Sequence, residues 1–235
     1  ADGLMGGKGV KVAGDHLQNT TDALSYCKEL VGRGSNFVIE EKLIGQEFSL
    51  MSFCDGEHLA HMPPIQDHKR AFNNDTGPNT GGMGSYSDAN HLLPFLTDAD
   101  IKHAREINKH TAQALKDKFS IGFKGILYGG FMVTAKGVKL IEYNARFGDP
   151  ESLNALSLLE NDFTEICHAI IEGTLDKQDV RFKNLATVCK YAVPNGYPDN
   201  PVQGEKIDIS NVYNKDRLYF GAVDARKDGL YETGS

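Results

Sequence analysis

From Gln66 to Ser87 the chain has almost no large aliphatic side chains and is rich in Asp, Asn, Thr and Gly. Such a stretch cannot build a core, so the apolar patterning on either side of it has to. It reads as a long loop, and long loops inside compact domains usually carry function. Its lack of Glu, Lys and Ser bias speaks against a disordered linker. Before it, Ala23, Leu24, Cys27, Leu30 and Val31 recur at helical spacing and Gly32 and Gly34 end the run. Strands are expected at Gly9–Ala13, Phe37–Glu41 and Glu47–Phe53, with another ending near Pro63-Pro64. After the loop, Thr97-Asp98-Ala99-Asp100 resembles a capping box. It opens a helix to Lys118 with the stripe Ile101, Ala104, Ile107, Ala114 and Leu115. Residues 125–143 read as two strands joined at Lys136-Gly137. Asp149 as N-cap and Pro150 at the first helical position start a helix through Leu159, and another runs from Phe163 to Glu172. Strands over 185–193 and 218–224 flank the turn-rich Pro194–Pro198. The fold class is α+β with a smaller β-rich tail.

With 235 residues, 40% hydrophobic and 24% charged, the chain can bury one large or two small cores. Twenty-five basic against 32 acidic side chains leave a formal charge of −7, which argues against a nucleic-acid partner. No apolar run approaches the ~20 residues of a membrane span, and no signal-peptide pattern stands at the start. The chain opens inside a glycine-rich loop, as a fragment of a longer protein would. Cys27, Cys54, Cys167 and Cys189 lie far apart without a CxxC pair, so free, mostly buried thiols in a reducing compartment, the cytoplasm, are expected. His58 and His61 fall on an alternating stretch that points them to opposite faces, which disfavours a metal pair.

Four segments carry chemistry. Gly3-Leu4-Met5-Gly6-Gly7-Lys8-Gly9 can bring backbone N–H groups and one lysine to phosphate oxygens, but it lacks P-loop spacing and precedes a strand. A hairpin flap over nucleotide phosphates and a plain surface turn both fit it. Along Glu142-Tyr143-Asn144-Ala145-Arg146, residues two apart share a face, placing Glu142, Asn144 and Arg146 together. A carboxylate with an amide oxygen suits Mg²⁺, and Arg146 offers a fork to a phosphate. Val138, Leu140, Ile141 and Tyr143 would anchor the strand. Within Asp75–Gly84, glycines with Thr76, Asn79 and Thr80 can cradle a small polar substrate, while Asp67 upstream can hold an amine. Val38–Leu43 can present backbone groups to an adenine edge, and Glu47 can accept from ribose hydroxyls. Taken alone, that last segment is also readable as an acidic turn.

In this order the motifs resemble the glycinamide ribonucleotide synthetase (phosphoribosylamine–glycine ligase) family of ATP-grasp enzymes. Gln66-Asp67-His68-Lys69-Arg70, Asp75–Gly84 and Asn144-Ala145-Arg146-Phe147-Gly148-Asp149-Pro150-Glu151 are the specific matches; the glycine loop and Val38–Leu43 are common to ATP-grasp proteins. The resemblance implies an ATP-grasp fold with a lid subdomain over 1–55, a Mg²⁺/substrate subdomain over 56–176 and a partial C-terminal β-rich domain over 177–235. It implies that the family's N-terminal phosphoribosylamine-binding domain is absent here. The implied reaction is ATP-dependent ligation of glycine to 5-phosphoribosylamine through glycyl phosphate, a step of purine biosynthesis. Gly6, Gly7, Lys8 and Gly9 would then cover the phosphates, Glu40, Glu41 and Leu43 hold adenine, Glu47 hold ribose, and Glu142 and Asn144 take Mg²⁺ or Mn²⁺. Asp67, Thr76, Asn79, Thr80, Gly81, Gly82, Met83 and Arg146 would line the glycine and aminosugar site, with Asp67 and Arg146 closest to the chemistry. The implied parent is a cytoplasmic enzyme, monofunctional or fused to other purine-pathway domains, and little turnover is expected of this piece alone. Another ATP-grasp ligase or carboxylase, or a non-catalytic ATP-binding module, are the competing readings.

Overall fold

The computed structural model describes residues 10–74 and 76–234. The helices are α1 (Thr20–Gly32), α2 (Asp98–Phe119), α3 (Glu151–Leu158) and α4 (Phe163–Glu172). The strands before α2 are β1 (Gly45–Asp55), β2 (Leu59–His61), β3 (Gln66–Asp67), β4 (Arg70–Phe72), β5 (Thr76–Asn79) and β6 (Gly84–Ser87). After it come β7 (Lys124–Thr134), β8 (Gly137–Asn144), β9 (Thr187–Lys190), β10 (Lys206–Ile207), β11 (Val223–Ala225) and β12 (Tyr231–Thr233). The chain divides into two compact units, one of residues 1–69 and 81–190, the other of 70–80 and 191–235.

In the first unit an antiparallel sheet is ordered β2-β1-β7-β8. Alternation along β1 sends Phe48, Leu50, Ser52 and Cys54 to one face and Ser49, Met51, Phe53 and Asp55 to the other. The first face packs with Ile101 and Ala104 of α2 around Phe131. On the second, Met51, Phe53 and Tyr128 meet Ala155 of α3 and Ile166 and Ala169 of α4. Both faces are covered, so β1 reads as a nearly continuous buried run from Phe48 to Asp55. A second small sheet, β3-β6-β9, packs against α3. There Asn154 joins Ser85 of β6 to Thr187 of β9.

Several expectations hold. The α2 capping box is formed, with Asp100 N donating to Thr97 Oγ1 at 3.3 Å and Thr97 N to Asp100 Oδ2 at 2.9 Å. Helix α4 spans Phe163–Glu172 as its pattern predicts, and β7 and β8 form the expected hairpin. Others are corrected. Residues 37–41 form no strand, and Val38 and Ile39 are exposed, since no sheet edge pairs with them. Near Ala13 there is only an isolated bridge to Leu17. The supposed loop over 66–87 holds four short strands: β4 and β5 pair with each other, while β3 pairs with β6 and β6 also pairs with β9 a hundred residues on. The buried stripe of α2 is Ile101, Ala104, Asn108 and Ala112, with Ala114 exposed. Helix α3 begins at Glu151 with Pro150 at the N-cap and no side-chain cap; Ser152 N already donates to Gly148 O. The last expected strand shifts to β11 and β12. Of the four free cysteines only Cys54 is buried.

The second unit contains the β4–β5 hairpin, braced by Arg70 Nη1 donating to Gly77 O at 2.8 Å, and a sheet ordered β10-β12-β11. Phe220 stacks on Tyr231 there, and Arg226 pairs with Glu232 at 2.9 Å. Among the described residues no helix is long and apolar enough to cross a membrane.

Candidate active site

The α3–α4 side of the four-stranded sheet opens into a cleft lined by Glu47, Asp67, Lys69, Tyr128, Gly130 and Glu142, among others. Three separate segments supply its charges. Glu47 comes from the start of β1, Asp67 and Lys69 from β3 and the turn after it, and Glu142 from β8. Three of the sequence-predicted site residues, Glu47, Asp67 and Glu142, are therefore brought together.

The register explains how β8 delivers Glu142. Tyr128 of β7 stands opposite Asn144, Gly130 opposite Glu142 and Phe131 opposite Leu140, so Ile141 is an extra residue at a bulge. The bulge breaks strict alternation, which is why Ile141 and Glu142 both line the cleft. It also corrects the expected anchoring: Leu140 and Ile141 are 36% and 40% exposed, and the strand is held by Val138 and Tyr143 instead. Tyr143 points to the α2 side, donating to Asn108 Oδ1 at 3.0 Å and lying 3.1 Å from Thr111 Oγ1. Glu142 and Asn144, on either side of it, are turned the other way. Gly130 presents no side chain against Glu142, leaving room beside the carboxylate.

Lys69 lies 3.6 Å from Glu47 and 3.8 Å from Asp67. Burial works to lower the pKa of its ammonium, but the carboxylates of Asp67, Glu47, Glu142 and Glu151 outweigh it and hold the pKa above the ordinary value. Deeper in, Tyr128 donates to the buried Glu151 at 2.7 Å. Burial raises the Glu151 carboxyl, with the Asp67 charge adding to it and the Tyr128 bond opposing. Burial and the neighbouring carboxylates also push the Tyr128 phenol upward, so it stays a donor. Lys69, Tyr128 and Glu151 escaped the motif reading. Glu151 and Lys69 lay inside quoted motifs, whereas Tyr128 is readable only through its register with Asn144.

Other predicted residues are placed differently. Gly6, Gly7, Lys8 and Gly9 lie outside the described residues, as does Asp75. Glu40, Glu41 and Leu43 sit in a segment without helix or strand, outside the cleft lining, with Glu41 3.9 Å from Lys136. Arg146 is exposed beyond the end of β8 and donates to Phe147 O at 2.7 Å. Gly82 lies against Asp149 and Pro150, and Gly81 has open space where a side chain would stand. Met83 is buried and its N–H is spent on His68 O at 2.7 Å, so its side chain serves the core. Thr76 and Asn79 on β5, and Thr80 after it, belong to the second unit. Among the described residues no three His, Cys, Asp or Glu side chains are grouped as a metal cage. Glu142 and Asn144 offer two hard oxygens on one strand end, a donor set that fits Mg²⁺ shared with phosphates and water.

The family model for phosphoribosylglycinamide synthetase, ATP-grasp (A) domain, matches residues 1–152. The phosphoribosylamine–glycine ligase of Methanosarcina acetivorans is 50% identical over 233 residues, covering 99% of this chain and 52% of that protein. That of Methanococcoides burtonii is 53% identical over 234 residues, covering 99% and 53%. The chain thus spans about half the length of these relatives. The crystal structure of phosphoribosylamine–glycine ligase from Thermotoga maritima superposes with a TM-score of 0.71 at 29% identity, over 88% of this chain and 54% of that one. A biotin carboxylase structure from Campylobacter jejuni shares the fold alone, with a TM-score of 0.57 at 13% identity over 79% of this chain and 39% of that one. The α+β architecture is therefore an ATP-grasp fold, and the chain belongs to the phosphoribosylglycinamide synthetase family through its ATP-grasp (A) domain.

Proposed function

We propose that the protein to which this chain belongs ligates glycine to 5-phosphoribosylamine at the expense of ATP, in the cytoplasm, as a step of purine biosynthesis. The observation that carries this reading is the convergence of Glu47, Asp67, Lys69 and Glu142 in one cleft of an ATP-grasp domain. The γ-phosphoryl group of ATP passes to a glycine carboxylate oxygen, releasing ADP. The amine of the aminosugar then attacks the carbonyl carbon, and phosphate leaves as the amide forms.

Glu142 and Asn144 hold Mg²⁺ or Mn²⁺, which when bound offsets charge on the phosphates. Lys69 supplies a permanent cation where negative charge moves, positioned by Glu47 and Asp67 on either side. Asp67, its side chain 8% exposed, is set to accept from the incoming amine. The donors that Arg146 does not spend on Phe147 O are suited to an acyl phosphate. Glu47 takes the ribose, and the segment with Glu40, Glu41 and Leu43 takes adenine. Thr76, Asn79, Thr80, Gly81, Gly82 and Met83 complete the substrate side, Met83 through its neighbours' backbone. We assign 1–55 to the lid, 56–176 to the Mg²⁺ and substrate part, and 177–235 to part of a C-terminal domain. Catalysis of this kind is positioning and electrostatics, with no nucleophilic side chain required.

The test is ADP release by the full-length protein with MgATP. Release that requires both glycine and phosphoribosylamine supports the proposal. Release indifferent to glycine points to another ATP-grasp reaction, and ATP binding without release to a non-catalytic module.

A further inference from the structure

The α2 side of the sheet carries a second cavity, of about 450 Å³, between α2 and the β1–β2 turn. This is metabolite size, and none of the residues proposed for ligation lines it. Lys102, Arg105 and Lys109, spaced along one face of α2, line it and make no ion pair within 4 Å among the described residues. The acids around them are largely engaged. Glu57 is paired with Lys116 at 3.0 Å, and Asp176 faces His58 at 3.8 Å, leaving Glu106 against three cations. Leu59 and Ala112 add apolar wall.

His61, also in the lining, is held in orientation. Asn108 Nδ2 donates to Ser52 Oγ at 3.3 Å, and Ser52 Oγ lies 2.7 Å from His61 Nδ1. That contact engages Nδ1 and leaves Nε2 available to a ligand. Burial first, then the Arg105 charge, lowers the pKa of His61 to about 4, so the ring is neutral at pH 7.

We propose that this cavity is a second binding site, distinct from the ATP cleft, for a small phosphate ester gripped by Lys102, Arg105 and Lys109 and oriented by the ring of His61. Arg105 supplies the fork that matches two phosphate oxygens, and the lysines add unpaired charge. The apolar wall favours an organic ester over free phosphate. The proposal goes beyond the ligase reading and does not depend on it.

The test uses full-length protein with ¹³C-labelled histidine, its ATP cleft occupied by a non-hydrolysable ATP analogue. Phenyl phosphate and inorganic phosphate are titrated separately, each against sodium chloride of equal ionic strength. The His61 ring signal is expected to move with phenyl phosphate, saturating by about 10 mM. The double variant Arg105→Gln, Lys109→Gln should weaken that binding about tenfold or more, while Glu142→Ala leaves it unchanged. Equal response to inorganic phosphate would reassign the occupant to free phosphate within the same site. No movement beyond the chloride control, or an unaltered response in the double variant, overturns the proposal. Arg105 and Lys109 are exposed, so the variant is expected to fold, and its melting temperature checks this.

Discussion

On the α2 face of the four-stranded sheet, Asn108 is fully buried and bonded to Leu50 O, Ser52 Oγ and Tyr143 Oη. On the opposite face, Glu47, Asp67 and Glu142 crowd around Lys69, and Glu151 lies beneath. The first set is neutral and mutually satisfied, which is the arrangement that contributes to stability. The second gathers like charges whose mutual repulsion one lysine only partly relieves, an arrangement that costs stability and suits a polyanion held with a cation. Polar groups in one sheet thus divide into neutral ones that satisfy one another and charged ones gathered around Lys69.

That division can be broken by substitution. Glu142→Ala should lower turnover of the full-length protein about 10²–10³-fold while leaving its melting temperature unchanged, because the side chain is exposed. A melting loss with retained turnover would place Glu142 among the structural residues. Asn108→Ala should do the reverse, costing about 3 kcal/mol of stability by stripping buried partners and opening a void. Denaturant unfolding reads that loss, and turnover measured well below the melting point should be kept. Gly129→Ala should cost about 2 kcal/mol by overpacking, since an added Cβ would come 2.5 Å from Phe131 Cε2 and 2.8 Å from Asn108 Oδ1.

The smallest effect sharpens the comparison through pH. The Glu151 carboxyl is raised in the folded state, so its contribution is fully present below the unfolded carboxylate pKa and is lost as pH rises through the raised value. Glu151→Gln keeps an oxygen for the Tyr128 hydroxyl and removes that loss. Thermal melts of the variant should therefore gain on wild type as pH rises above the ordinary carboxylate range. A difference independent of pH would mean that Glu151 ionises normally.

Helices α1, α2 and α4 and the β7–β8 hairpin were readable because their signals are local: caps, periodicity and a Lys-Gly turn. The strand over 185–193 was likewise readable and is β9, but β3 and β6 were not, since they are defined by pairing with each other and with β9 rather than by their own pattern. For the same reason the β-branched run at 37–41 forms no strand where nothing pairs with it. The bulge at Ile141 left no mark in the sequence, and the α2 stripe hid Asn108 because a buried amide looks like a polar interruption. Motifs supplied Glu47, Asp67 and Glu142, but only the register of β7 on β8 adds Tyr128, and only the folded cleft shows Lys69 among the carboxylates.

The central claim is that the charged face is reserved for ATP with its divalent cation. It is tested most directly by equilibrium binding of ATP to full-length wild type and Glu142→Ala, with and without Mg²⁺. The account predicts that Mg²⁺ tightens binding to wild type and that this gain disappears in the variant while its fold is intact. An equal Mg²⁺ gain in both proteins would contradict it.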